Sequence, residues 1–181
     1  YGDTSWRTGT REGSFQFDEL GHKLIVNTQS SLHVVDPRDG YTIRSIGYPA
    51  SGNVNGFARF GGRVLLAPQA GPPRFQGRVF LYDLTTGSLE RDVKVGSAVY
   101  LPSAQNGDVL GGRHCPLIVQ GQDGVALADL ATGEVSPVMP VIGLNPRGYF
   151  PNQAALVTED TIFAVSQRVS VKAIDRQTGQ T

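Results

Sequence analysis

A fourfold internal repeat constrains this chain more than any other feature of its sequence. Four segments share an apolar stretch that ends in Asp-x-x-x-Gly: Leu32–Gly40, Val79–Gly87, Val125–Gly133 and Val171–Gly179. Their terminal glycines follow one another at intervals of 46 or 47 residues. Repetition at this period is typical of architectures in which one supersecondary unit is stacked on the next.

Each repeat reads as a β-strand that runs into a tight turn. Apolar residues stand two and four positions before the aspartate, as Leu81 and Val79 do before Asp83, so they share one face of a strand. The residue directly before the aspartate, on the opposite face, is apolar or aromatic too: Val35, Tyr82, Ala128 and Ile174. This predicts that both faces are partly buried. Aspartate accepts hydrogen bonds from the N–H groups of a following turn, and glycine supplies the positive φ of the exit. A structural role for these aspartates is therefore favoured over the alternative, a set of calcium ligands.

The rest of each unit supplies three more short strands. We expect first strands at Phe15–Asp18, Gly56–Phe60, Gly107–Gly111 and Gln153–Val157, and second strands at Lys23–Asn27, Arg63–Ala67, Leu117–Gln120 and Thr161–Val165. We expect third strands that end at Asp36, Asp83, Asp129 and Asp175, and fourth strands at Tyr41–Ile46, Ser88–Val95 and Glu134–Val141. Four antiparallel strands at this period predict an all-β β-propeller with about four blades in this chain. A two-sheet sandwich is the alternative, but it would not require such regular spacing.

The predicted units span residues 14–47, 56–96, 107–142 and 153–181, and residues 1–13 are a candidate closing strand. The fourth unit reaches Thr181 before its fourth strand, and an incomplete blade exposes unpaired backbone groups. Residues 1–13 would complete a four-bladed ring. Alternatively, the remaining blades come from the same longer chain, in a ring of seven or eight, or from a head-to-tail homodimer. We favour the longer chain.

Charge and composition narrow the choice of partners. Sixteen basic residues balance sixteen acidic ones, which argues against a nucleic-acid partner. The apolar runs are too short to span a bilayer, so the chain is expected not to be transmembrane. With Cys115 as the single cysteine, no intrachain disulfide can form.

The segment Arg78–Gly96, in which an apolar strand ends in Asp-x-x-Thr-Gly and a further strand follows, resembles the YVTN-type and quinoprotein-like (PQQ-repeat) propeller superfamily. The resemblance covers nearly the whole chain and implies large rings and an extracytoplasmic location. PQQ dehydrogenases carry a tryptophan late in most blades and a vicinal cysteine pair, whereas this chain has only Trp6 and Cys115. Quinone binding is therefore not inferred, and no cofactor is predicted.

Candidate binding residues lie where propeller loops gather on one face around the channel. The connections between blades carry Asn, Tyr and Arg, and the long loop of the second unit presents an arginine beside a phenylalanine; such side chains suit the recognition of peptides and polar ligands. The predicted ligand-binding residues are Asn53, Asn55, Arg74, Phe75, Tyr100, Arg147, Tyr149 and Asn152. His114 and Cys115 are adjacent in sequence, and the alignment of the repeats places Cys115 immediately before the second strand, at the first hairpin turn of its blade. They are not expected to act as a nucleophile pair, because neighbours on a strand point to opposite faces and this turn lies away from the ligand-binding face.

Two functions compete at this point. The sequence lacks the local signatures of zinc proteases, serine hydrolases and P-loop enzymes. We therefore expect a non-catalytic binding or scaffold propeller that recognises a protein, a peptide or a polar small molecule through its loop face. The alternative is an enzyme of the lactonase or lyase kind with a polar site, or a divalent metal, at the channel mouth.

Overall fold

The chain forms only strands and turns in the residues that the structure describes. The structure is a computed structural model, and it describes residues 14–18, 23–28, 30–48, 54–68, 76–101, 113–120, 124–141, 155–166 and 170–180. These ranges contain fifteen strands and no helix, and every strand pair is antiparallel. The all-β propeller prediction is confirmed as a partial β-propeller of meandering sheets.

The first two sheets each have four strands in chain order. Sheet 1 consists of β1 (Ser14–Asp18), β2 (Lys23–Asn27), β3 (Ser31–Val35) and β4 (Thr42–Gly47). Sheet 2 consists of β5 (Val54–Phe60), β6 (Arg63–Pro68), β7 (Arg78–Asp83) and β8 (Leu89–Lys94). The outer strand of each has a bulge at the same place, opposite Val34/Val35 and Leu81/Tyr82. The two sheets are therefore copies of one unit down to this irregularity.

Sheets 3 and 4 depart from the expected pattern at their edges. Sheet 3 consists of β9 (Ala98–Tyr100), β10 (His114–Gln120), β11 (Gly124–Asp129) and β12 (Met139–Pro140), and sheet 4 of β13 (Ala155–Val157), β14 (Thr161–Ser166) and β15 (Ser170–Asp175). The expected strand Gly107–Gly111 lies outside the described residues, and β9 is the strand that pairs with β10 at that edge.

The outer strand of sheet 3, expected over Glu134–Val141, is reduced to β12. Upstream of β12 the ladder keeps one isolated pair, Ala128 with Val135. Between these two places lies Pro137, which has no N–H to give to a ladder. The proline therefore explains why the outer strand leaves the sheet.

The sheets stack face to face in chain order, because their inner strands are apolar on both faces. In β6, Val64 and Leu66 pack with sheet 1, whereas Leu65 and Ala67 pack with sheet 3. Sheet 3 repeats this arrangement toward sheet 4 through Ile118. Three apolar clusters result, one at each junction between neighbouring sheets. Because successive side chains of a strand point to opposite faces of its sheet, each buried side chain belongs to one of these junctions.

Candidate functional site

The two ends of the sheets differ in what they carry. In a meander the hairpins β1–β2 and β3–β4 lie at one end, and β2–β3 and the connections between sheets lie at the other. We call the first the turn end, because it carries the four Asp-x-x-x-Gly turns, and the second the loop face. The loop face is where the sequence predicts ligand binding.

The structure places two of the eight predicted ligand-binding residues. Asn55 lies on β5 and Tyr100 on β9, so both belong to the first strands of their sheets. Both were expected in connections between blades, but β5 already begins at Val54, and the connection from β8 to β9 is the short segment 95–97. The other six lie outside the described residues: Asn53, Arg74, Phe75, Arg147, Tyr149 and Asn152. A role in ligand binding stays a prediction for all eight.

The turn end is built from one hydrogen-bonding pattern used four times. In the turn of sheet 2, Asp83 Oδ1 accepts from the N–H groups of Thr85 and Thr86 at 2.6 and 2.9 Å. The N–H of Gly87 donates to the Asp83 carbonyl at 2.8 Å, and Gly87 has φ 76°. In the turns after Asp36, Asp129 and Asp175 the carboxylate likewise accepts from the N–H two residues ahead, and the aspartate carbonyl accepts from the glycine N–H, with glycine φ values of 70–76°. The predicted turn mechanism is confirmed, and these carboxylates serve the turn.

The turn carboxylates have depressed pKa values because the folded chain supplies them with donors. The guanidinium of Arg38 donates to Asp36 at 2.6 Å and lowers the pKa of Asp36 to about 2. The guanidinium of Arg113 donates to Asp129 at 2.6 Å and also lowers that pKa to about 2. In the other two turns, backbone N–H groups lower the aspartate pKa most. All four aspartates are therefore anionic at neutral pH.

The single cysteine is a core residue. Cys115 was expected just before the second strand, but it lies within β10 and is 1% exposed in the cluster between sheets 2 and 3. Burial raises the pKa of its thiol to about 12, so no thiolate forms at neutral pH. His114 begins the same strand and is half-buried. These two residues therefore form no nucleophile pair.

Neighbouring sheets are joined at the turn end by an arginine four residues after the turn glycine. Arg44 of sheet 1 donates through Nη1 to the Thr86 carbonyl at 2.8 Å, and its stem covers Gly87. Arg91 of sheet 2 donates through Nε to the Thr132 carbonyl at 3.3 Å, and its stem covers Gly133. We call this contact the arginine clasp. It links the outer strand of one blade to the turn of the next.

The junction between sheets 3 and 4 is different. Pro137 occupies the position equivalent to the two clasp arginines, four residues after Gly133. Met139 covers Gly179 instead, with its Cγ 3.4 Å from where a Cβ on that glycine would lie. A thioether cannot donate a hydrogen bond to the carbonyl of Thr178. This junction therefore keeps the contact with the glycine and loses the hydrogen bond to the turn.

A groove of about 990 Å³ opens at this same junction. We call it the junction groove. Residues from both sheets and both turns line it, including His114, Leu127, Glu134, Ser136, Glu159 and Gln177. Leu127 and Val135 contribute apolar surface, while the rest of the lining is polar. The groove is therefore a concave site with polar groups from two blades.

The junction groove is acidic. Four carboxylates line it, from Asp129, Glu134, Glu159 and Asp160. Asp129 is paired with Arg113, and the guanidinium of Arg176 also lines the groove. Arg176 donates to the carbonyls of the β13–β14 turn at 2.6 and 2.8 Å, so it is held along one wall. Within the described ranges, no three His, Cys, Asp or Glu side chains are placed to hold a metal ion. The lining suits a cationic group that donates hydrogen bonds.

Comparison with solved structures gives the class of fold. The described chain is similar to the hydrazine synthase of Kuenenia stuttgartiensis (TM-score 0.59, 15% identity, 96% of this chain and 50% of that one). It is similar to the β-propeller domain of Cps50 (Swd1) from Myceliophteria thermophila (0.64, 17%, 94% and 55%) and to BamB from Moraxella catarrhalis (0.59, 16%, 93% and 50%). The chain thus has a propeller fold, and it spans about half the length of these three neighbours.

A fourth neighbour, the computationally designed Ika4 protein, is matched over 88% of its own length (TM-score 0.57, 14% identity). No protein-family model matches the sequence, and no curated protein matches it significantly. At these identities the similarity defines the fold and leaves function to the site. None of the described segments is a helix of the length and apolarity needed to cross a membrane.

Proposed function

We propose that this chain is a non-catalytic binding or scaffold propeller that recognises a protein, a peptide or a polar ligand through its loop face. The observation that carries the proposal is the contrast between the two ends. At the turn end, all four Asp-x-x-x-Gly turns keep one repeated hydrogen-bonding pattern between the aspartate and the backbone N–H groups that follow it. At the loop face, the connections between sheets range from residues 95–97 to residues 141–154. Connections that vary in length at one end of a rigid scaffold are typical of recognition surfaces.

The repeat also supports assignment to the YVTN-type or quinoprotein-like superfamily, and we propose an extracytoplasmic location on that basis. The support is the geometry of the Asp-x-x-Thr-Gly turn, which the Asp83 and Asp175 turns both show. In this proposal the remaining blades come from the same longer chain, or from a second copy of this one.

The test is selection of random short peptides on the immobilised chain, followed by affinity measurement with loop variants. Two double variants probe the loop face, Arg74→Ala with Phe75→Ala and Tyr149→Ala with Asn152→Ala. Thr42→Ala, an exposed position on β4, is the matched control. We expect at least one double variant to weaken binding tenfold or more, as truncation of an aromatic or arginine anchor does, and the control to leave binding unchanged.

Two results would contradict the proposal. Selected peptides that bind all variants equally would remove the loop face as the site. A stoichiometric divalent metal in the purified chain, together with turnover of a lactone, would establish the enzyme alternative instead.

A further inference from the structure

The three junctions between neighbouring sheets are equivalent positions of one repeat, so they can be compared directly. At the first, the guanidinium of Arg44 donates to the carbonyl of Thr86. At the second, the guanidinium of Arg91 donates to the carbonyl of Thr132. The repeat thus presents a guanidinium site at the turn end, and at two junctions the chain fills it with its own side chain.

At the third junction no arginine stands at the clasp position, and the guanidinium that lines the junction groove, from Arg176, is held by the carbonyls of the β13–β14 turn. The turn Asp175–Gly179 has the same hydrogen bonds and the same glycine φ as its counterparts. Pro137 replaces the clasp arginine, and no donor in the described part of the chain reaches the Thr178 carbonyl. Pro137 also removes the outer strand from the sheet for several residues, and the junction groove lies beside this break.

We infer that the junction groove binds a guanidinium group, supplied by an arginine side chain of a protein or peptide partner. The groove lies beside the turn, with Gln177 in its lining, and it offers this group the carboxylates of Glu134 and Glu159. A planar guanidinium has five donors in a fixed fork and matches carboxylate and carbonyl acceptors better than an ammonium does. Leu127 and Val135 offer apolar surface to the methylene stem of the arginine. The site is at the turn end, so it does not rest on the proposed function of the loop face.

The test uses the whole chain and a capped pentapeptide with one arginine between glycines. Two matched peptides carry citrulline, which keeps the shape and loses the charge, or lysine, which keeps the charge and loses the fork. Titration is followed by the backbone amide signals of Ser136 and Gln177 in ¹H–¹⁵N NMR spectra. We expect the arginine peptide to shift both signals and to bind at least tenfold more tightly than the citrulline peptide and severalfold more tightly than the lysine peptide.

Variants at the groove separate the site from general charge attraction. Pro137→Arg restores the clasp from within, and we expect it to abolish peptide binding; Pro137→Ala removes the ring without adding a guanidinium and should preserve binding. Glu134→Gln should weaken binding threefold or more, which tests the site even where a Pro137 variant does not fold. Glu90→Gln removes one carboxylate charge from the outer strand of sheet 2 and is the matched control. Equal affinity for arginine and citrulline peptides, equal affinity for arginine and lysine peptides, or unchanged binding by a folded Pro137→Arg chain would overturn the inference.

Discussion

Replacement of Gly133 by alanine tests both the turn mechanism and the packing of one blade on the next. Gly133 is buried and has φ 74°, in the left-handed region. A Cβ at this position would overlap Cγ of Arg91 and lie 3.0 Å from Cδ2 of Leu81. The methyl group therefore meets the neighbouring blade as well as an unfavourable backbone conformation.

The expected loss of stability follows from these two effects. A non-glycine residue in the left-handed region costs about 1–2 kcal/mol, and alanine regains about 0.4–1 kcal/mol by restricting the unfolded chain. Overpacking against buried groups adds about 1–3 kcal/mol. We therefore expect Gly133→Ala to lower the free energy of unfolding by about 2–4 kcal/mol.

The other turn glycines provide graded comparisons at nearly the same φ. At Gly179, the nearest atom to a new Cβ is Cγ of Met139 at 3.4 Å, so Gly179→Ala should cost only the backbone effect, about 1 kcal/mol. At Gly87, a new Cβ would lie 3.1 Å from Cδ of the flexible Arg44 side chain, so its cost should be intermediate. Gly179→Asn should be nearly neutral, because asparagine tolerates this conformation.

Urea unfolding at neutral pH, followed by far-ultraviolet circular dichroism, gives the free energies for this series. A second measurement places Gly133→Ala in an Arg91→Ala background, where Cγ of the arginine is gone. In that background Gly133→Ala should lower the free energy of unfolding by less than it does in the original chain, because the overlap with Arg91 is gone while the contact with Leu81 remains. Equal losses for Gly133→Ala and Gly179→Ala, or no loss for either, would refute the reasoning.

Three further predictions follow from other contacts. Arg44→Met keeps the stem over Gly87 and loses the hydrogen bond to Thr86, so it should cost about 0.5–1.5 kcal/mol in urea unfolding, less than Arg44→Ala; the reverse order would contradict the clasp. Asp36 and Asp129 have lowered pKa values of about 2, so the stability that their ionised forms give the fold should be complete above about pH 4 and be lost as the pH falls through 2. The free energy of unfolding should therefore fall with pH across this range, and it should fall less steeply in Asp129→Asn. An unchanged slope in Asp129→Asn would count against the role of this carboxylate. Cys115, whose thiol pKa is raised to about 12, should resist a disulfide reagent at pH 8 until the chain is unfolded, whereas rapid stoichiometric labelling of the native chain would show that it is accessible.

The turns could be predicted from sequence because their interactions are local. The carboxylate of Asp83 reaches N–H groups two and three residues ahead, and Gly87 ends the turn four residues on. Such contacts depend on chain geometry alone, so a repeated Asp-x-x-x-Gly is enough to predict them. The continuous apolar run of β6 likewise predicts burial on both faces, although it does not predict which neighbouring sheet each face contacts.

The edge strands of sheet 3 and the junction groove could not be predicted from the sequence, because both depend on how neighbouring sheets stack. Strand β9 is short, and its place is set by Val99, which is buried between sheets 2 and 3. The sequence does contain a signal for the groove, since arginine follows the turn glycine by four residues in two repeats and Pro137 does in the third. The consequence of that difference depends on which turn faces which outer strand, a tertiary relation that alignment of the repeats does not supply.

The two-faced apolar strands of sheet 2 have a consequence for synthesis on the ribosome. One face of β7 is covered by sheet 1, which is already made, but Val79 and Leu81 pack against sheet 3, whose last cluster residue is Leu130. At ordinary rates of about 5–20 residues per second, the remainder of that cluster emerges about 2–10 s later. During that interval the nascent blade exposes an apolar sheet face, the kind of surface to which chaperones bind and through which chains aggregate. The order of the blades along the chain therefore determines how long the apolar face of each new sheet stays exposed to chaperones and to aggregation.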